Sequence, residues 1–257
     1  MNATQAIDNT PFFLVGCVRS GTTLLRDLLR LHARLECPEE THFFRWADPF
    51  GTARFRAMNL KSDLMKKHRE LDGVPEDRFL EIFEAASDRK ALMEAYGAAF
   101  LEARGNPGGR WFDKTPQNVY GIPLIADAWP QARFVHIHRH PLNVVASLLE
   151  GKVMPAHDLD GAINYWNEAA AIIQQARGVL GDRLKDVSYE TLTSDPASTF
   201  ADLLEYLGED VTLPDSLETV VHPEKNKYRG VLSEEQVGEV LERTVRFRGT
   251  YGYTEPA

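Results

Sequence analysis

The chain is poor in cysteine, poorer in basic than in acidic residues, and has no long apolar run. Only Cys17 and Cys37 occur among its 257 residues, so no disulfide framework is needed or indicated. Lysine and arginine number 29 against 38 aspartates and glutamates, leaving a net charge of −9. A general nucleic-acid binder presents a basic face to phosphate, so nucleic acid is not expected as a partner. An anionic ligand must instead be held by local groups. The apolar run Pro11–Gly16 is far too short to span a bilayer, and Met1–Thr10 is polar with no basic n-region. No membrane partner and no signal peptide are expected, and the expected location is cytoplasmic. The eight histidines show no paired metal-ligand spacing, so no metal is expected. Repeats, low-complexity tracts and long linkers are also missing.

What is present is ordinary for a globular chain: 43% hydrophobic and 26% charged residues, enough for one α/β domain. The reading is a single domain over residues 1–257 with a helical insertion at about 46–105, broken at Asp72-Gly73-Val74-Pro75. Phe12-Phe13-Leu14-Val15 reads as a parallel strand buried on both faces. Leu24, Leu25, Leu28, Leu29 and Leu31 follow at helical spacing, with Thr22 or Thr23 placed to cap the helix. Trp111–Asp113, Arg133–His138 and Asp186–Tyr189 read as further strands. Pro141 opens a helix, 160–180 forms a long one, and Pro196–Leu207 another that stops at Gly208. Strands alternating with helices imply a mostly parallel sheet flanked by helices, with ligands beyond the carboxyl ends of the strands.

Gly16-Cys17-Val18-Arg19-Ser20-Gly21-Thr22-Thr23 has the glycine spacing of a phosphate-binding loop in the required context, after a strand and before a helix. Amides at a helix start converge on an anion, the helix dipole favours negative charge, and the Ser20, Thr22 and Thr23 hydroxyls add donors. The lysine that nucleotide triphosphatases place before the last Ser/Thr is missing; Thr22 stands there, and Arg19 supplies positive charge three residues earlier. Cys17 reads as a small packing residue.

Val18–Leu25 resembles the 5′-phosphosulfate loop of sulfotransferases that use 3′-phosphoadenosine 5′-phosphosulfate, and further stretches match in order along nearly the whole chain. The resemblance implies a phosphate-loop α/β fold like that of the P-loop nucleotide triphosphatases. It places Arg19, Ser20, Gly21, Thr22 and Thr23 on the donor's 5′ end, and Arg139 with Ser147 on its 3′-phosphate. Tyr189 would approach the adenine, with Glu190 structural. Lys227 and Arg229, in a basic late segment at 225–230, would close over the donor. Glu36-Cys37-Pro38-Glu39-Glu40-Thr41 is most similar to the Glu-Glu-Thr of tyrosylprotein sulfotransferases, which makes Glu40 the expected general base, with His42 a lesser candidate. Lys114, in Asp113-Lys114-Thr115-Pro116, aligns with a lysine that contacts the sulfuryl bridge.

The implied reaction moves a sulfuryl group to an acceptor hydroxyl, with Glu40, Lys114 and Arg19 as the catalytic set, the phosphosulfate nucleotide as donor and no metal. Two other readings stay open: a phosphate-loop kinase using ATP, and a non-catalytic nucleotide-binding module. The acceptor class is not legible. Residues 42–105 are expected to shape its pocket, with Phe43, Phe44, Trp46 and Phe50 as a possible aromatic wall. A homo-oligomer is compatible with the sequence.

Overall fold

The computed structural model of the chain describes residues 9–45, 47–151, 156 and 158–254. Trp46 lies outside them. Five strands form one all-parallel sheet: β1 (Phe12–Val15), β2 (Leu35–Glu36), β3 (Arg110–Lys114), β4 (Phe134–His138) and β5 (Leu184–Ser188). Their spatial order is β2-β3-β1-β4-β5, so the chain passes from β1 to the edge strand β2, comes back inward to β3, and then crosses β1 to build β4 and β5 on its other side. The junction of β1 and β4 is the switch point where such sheets bind ligands.

Side chains of β1 alternate between two core layers, as the strand period of two requires. Phe13 and Val15 face one layer and Phe12 and Leu14 the other. Helix α1 (Thr22–Leu29) packs Leu25, Leu28 and Leu29 into the second layer, each fully buried and contributing roughly 2–3 kcal/mol. Leu31 lies beyond the helix end and is exposed, so the apolar stripe is one leucine shorter than its spacing suggests.

Between β2 and β3 stand four helices: α2 (Ala53–Leu60), α3 (Asp63–Asp72), α4 (Glu76–Ala85) and α5 (Arg89–Ala103). Gly73 ends α3 in the left-handed conformation and Pro75 precedes α4, as the Asp-Gly-Val-Pro break predicts. Among the described residues the further α-helices are α6 (Ile122–Ala128), α7 (Pro141–Glu150), α8 (Leu159–Leu180), α9 (Tyr189–Ser194), α10 (Pro196–Leu207), α11 (Leu217–Val220) and α12 (Glu234–Arg248). Among the described residues no helix is long and apolar enough to cross a membrane.

Two local expectations are corrected. Among the described residues no side-chain oxygen caps α1; Gly21, at φ 97°, makes the turn into it, and Thr22 is already its first residue. Tyr189 is not in a strand. Ser188 ends β5 and caps α9 by accepting from the Thr191 N–H at 3.2 Å, so Tyr189 opens the helix.

Candidate functional site

The loop after β1 and the residue after β4 leave adjacent strands at the same sheet edge. Arg19 takes a left-handed backbone (φ 69°) in that loop, a conformation that a non-glycine residue holds only when its surroundings fix it. Its Nε donates to Ser147 Oγ at 2.9 Å, reaching across to α7. Arg139 Nη1 donates to the Arg19 carbonyl at 3.4 Å, and its guanidinium lies over the Tyr189 ring, 4.3 Å from the centroid. The structure thus brings together four residues that are up to 170 positions apart in sequence (Arg19 to Tyr189, 189 − 19). With Glu224 and Lys227 they line a cavity of about 510 Å³, within the range of small-ligand sites.

Gly21 is required where it stands. A Cβ at this position would collide with the Tyr189 ring, so only glycine lets the tyrosine lie flush against the loop. A Cβ on Gly16 would come within 2.5 Å of the Ile137 carbonyl oxygen, which seats the loop against β4. The first N–H groups of α1 have no acceptor within the helix and are available to an anion. Thr23 is exposed and Thr22 buried. Ser20 is fully buried, and its Oγ has no hydrogen-bond partner among the described residues. It lines a void of about 10 Å³ with His136, His138 and Tyr251 rather than the large cavity. Arg229 is likewise outside the cavity lining, on the 3-10 turn Lys227–Gly230 beside Tyr228, whereas Lys227 is part of it.

A second cluster sits at the end of β3. Lys114, the last strand residue, pairs with Leu14 in register, one position before the end of β1. Its Nζ donates to Glu40 Oε1 at 2.6 Å. The Lys114 side chain is 3% exposed and that of Glu40 25%, so the carboxylate opens to solvent while the ammonium lies beneath it. His42 Nε2 stands 3.5 Å from Glu40 Oε2. Burial, aided by the nearby Arg45 charge, pushes the His42 pKa down to about 3. Asp113 is fully buried and accepts from Thr41 Oγ1 (2.8 Å), Thr115 Oγ1 (3.3 Å) and Asn118 Nδ2 (2.6 Å); burial pushes its carboxyl up to about 6.

Phe43 and Phe44 do not form an open wall. Both are 3% exposed and belong to the core, Phe43 against Phe79 and Tyr96, Phe44 against Trp129. Phe50 is half-buried against Phe55 and Phe83. Burial drives the Cys17 thiol well above its ordinary range, in keeping with a packing role. The Glu190 carboxylate is spent on the His140 N–H (2.8 Å) and the Tyr253 hydroxyl (2.7 Å), a structural use. Among the described residues no group of three His, Cys, Asp or Glu side chains is placed to hold a metal ion.

The sequence model of the sulfotransferase family matches residues 11–213, which carry both clusters up to Tyr189. The chain belongs to the sulfotransferase family. Among its sulfotransferase relatives is the protein-tyrosine sulfotransferase of Drosophila melanogaster, 28% identical over 85% of this chain and 41% of the fly protein. The omega-hydroxy-beta-dihydromenaquinone-9 sulfotransferase of Mycobacterium bovis is 24% identical over 80% of this chain and 64% of that protein. The chain spans about half the length of the animal protein-tyrosine sulfotransferases it matches. The sulfotransferase fold itself is shared with the sulfotransferase domain of the Synechococcus PCC 7002 olefin synthase, at a TM-score of 0.71 and 21% identity over 98% of both chains. Mouse sulfotransferase SULT7A1, solved in complex with PAP, superimposes at a TM-score of 0.55 and 12% identity over 95% of this chain and 86% of that one.

Asp72, which accepts the Glu39 N–H, His68, against the Glu40 carbonyl, and Glu224, paired with Arg139, also belong to these clusters, and nothing in the sequence marks them as site residues. Each stands among other polar residues and meets its partner 28 to 85 positions away.

Proposed function

We propose that this sulfotransferase moves a sulfuryl group from 3′-phosphoadenosine 5′-phosphosulfate to an acceptor hydroxyl, with Glu40 taking the proton. The observation that carries the reading is the meeting of Arg19, Arg139, Ser147 and Tyr189 around one cavity, on the same sheet edge as the Lys114–Glu40 pair. The donor set fits such a nucleotide. A guanidinium fork at Arg139 and the Ser147 hydroxyl suit a terminal phosphate, Tyr189 in the same cavity lining offers apolar surface to a base, and the loop amides suit the 5′ end.

The acceptor oxygen attacks sulfur as the bond from sulfur to the 5′-phosphate oxygen breaks, and adenosine 3′,5′-bisphosphate leaves. Only donors fixed near that departing oxygen favour the transition state over the ground state. Arg19, the α1 amides and Lys114 fill this role. The acceptor's proton passes to Glu40, whose carboxylate is held by Lys114 and partly open to solvent. His42 is disfavoured as base, because a ring whose proton affinity is lowered to about 3 accepts a proton poorly near neutrality.

Purified protein incubated with sulfur-labelled donor and a panel of tyrosine peptides and alcohols tests the reading. Label moving to an acceptor, with stabilisation by adenosine 3′,5′-bisphosphate and none by ATP with magnesium, supports it. ATP-driven phosphate transfer, or nucleotide binding with no transfer to any acceptor, overturns it in favour of a kinase or a binding module.

A further inference from the structure

Glu40 sits in an irregular loop, residues 37–42, and a proton acceptor placed even 1 Å wrongly forfeits much of its effect. Three elements hold that loop. From α1 and the residue that ends it, Arg26 Nη1 reaches both Glu39 carboxylate oxygens at 3.1 and 3.0 Å, and Arg30 Nε donates to the Cys37 carbonyl at 2.9 Å. From β3, Asp113 takes the Thr41 hydroxyl and Lys114 the Glu40 carboxylate. The third support comes from the inserted helices. Asp72 Oδ1 accepts the backbone N–H of Glu39 at 2.7 Å, and His68 Nδ1 meets the Glu40 carbonyl at 2.8 Å.

Asp72 and His68 are four residues apart, so they share one face of α3. Together they grip the two-residue unit Glu39-Glu40 at both ends, its leading N–H and its trailing C=O. Rotating that unit, which would swing the Glu40 side chain, breaks both bonds. Asp72 is itself fixed: its Oδ2 accepts the Tyr96 hydroxyl of α5 at 2.6 Å, and both side chains are almost wholly buried. A buried carboxylate is costly, and apolar residues of similar size would serve stability as well or better. Here the charge is retained where one of its oxygens is committed to the loop that carries Glu40.

We propose that Asp72 is a positioning residue for the proton-accepting carboxylate, holding the Glu39-Glu40 unit in place against Lys114 from the inserted helical layer. The inference rests on the reading of Glu40 as base. Asp72 touches neither donor nor reacting atoms and acts through Glu40 alone.

The test is a double-mutant cycle read in kcat, with the affinity for adenosine 3′,5′-bisphosphate measured alongside. Asp72→Ala is expected to lower kcat about 30-fold, and Asp72→Asn, whose amide oxygen still accepts the Glu39 N–H, about threefold. Bisphosphate affinity should stay within about twofold of wild type in both, since the donor cavity is not touched. In an E40Q background, adding Asp72→Asn or Asp72→Ala should cost nothing further. A kcat unchanged in both Asp72 variants overturns the inference. So does a loss that persists in full on top of E40Q, because that marks general structural damage. If Asp72→Ala does not fold, the Asp72→Asn arm decides alone. Full activity in E40Q removes the base itself and overturns the underlying reading with it, an outcome distinct from the other two.

Discussion

Arg139 grips the carboxylate of Glu224 with two nitrogens, Nε at 2.6 Å and Nη2 at 2.5 Å from Oε2. The other oxygen, Oε1, accepts the backbone N–H groups of Lys225 (2.8 Å) and Asn226 (3.0 Å), the latter residue in the left-handed region. A guanidinium fork plus two converging amides is how a bound anion is held, and the group held here is the protein's own. If Arg139 serves the donor's 3′-phosphate, the phosphate must displace this carboxylate. E224Q removes the competing charge and keeps the shape. It should tighten adenosine 3′,5′-bisphosphate about tenfold, roughly 1.4 kcal/mol, and leave adenosine 5′-phosphate nearly unchanged. Titration calorimetry with the two nucleotides checks this; equal gains for both would show that Glu224 does not compete for the 3′ position.

Gly21 is where the backbone of the loop meets Tyr189, a residue of the cavity lining. At φ 97° any other residue is strained, and a Cβ there pushes on the Tyr189 ring. G21A should lose about 1–3 kcal/mol of stability from strain and collision together. It should also weaken nucleotide binding, because Tyr189 can no longer lie against the loop. Thr23→Ala, an exposed change two residues on, is the control for stability alone, which is expected to stay within about 0.5 kcal/mol of wild type. Thermal denaturation with and without adenosine 3′,5′-bisphosphate separates the two effects.

Much of this was legible in the chain because its signals are local. Phe12–Val15, the two glycines and the leucines of α1 sit within twenty residues, and each follows from strand period, turn chemistry or helix period. The sheet edge that gathers Arg19, Lys114 and Arg139 follows from strands alternating with helices. What could not be read is long-range. Asp72 reaches Glu39 across 33 residues and Glu224 reaches Arg139 across 85, and no pattern marks either. Nor does composition tell a core aromatic from a pocket wall, which is why Phe43 and Phe44 are equally compatible with both until their neighbours are known. The threonines after Gly21 look like caps by residue type, but the helix starts at Thr22 itself, so the capping position falls on a glycine with no side chain to offer.

If Glu40 is the base, the Lys114–Glu40 pair allows activity and stability to be separated. Glu40→Gln keeps an oxygen for the buried ammonium, so the fold should survive while kcat falls about 10²–10⁴-fold. Glu40→Ala removes that oxygen and strands the Lys114 charge, which should cost a further 1–3 kcal/mol or so of stability for the same loss of turnover. Bisphosphate affinity should hold in the glutamine variant. Transfer assays and denaturant melts on the two variants read the contrast, and similar kcat in Glu40→Gln and wild type would remove the carboxylate from the chemistry.

Acid sensitivity should reflect buried groups of opposite tendency. Burial, with His136 beside it, lowers the His138 pKa from 6.5 to about 3, so the folded state resists its protonation. Its contribution to stability is complete above pH 6.5 and is lost as the pH falls toward 3. Burial raises Asp72 from 3.8 to about 6, so its contribution is complete below pH 3.8 and is lost as the pH rises through 6. Going from pH 7 to pH 5, His138 therefore removes about 2 kcal/mol and Asp72 returns about 1 kcal/mol. H138N, which can keep a hydrogen bond to the Tyr253 hydroxyl, should show a smaller drop in Tm between pH 7 and pH 5 than wild type, by about 4–8 °C. D72N should show a larger drop, by about 2–4 °C. Equal drops in all three proteins would mean that neither group titrates differently in the folded and unfolded chain.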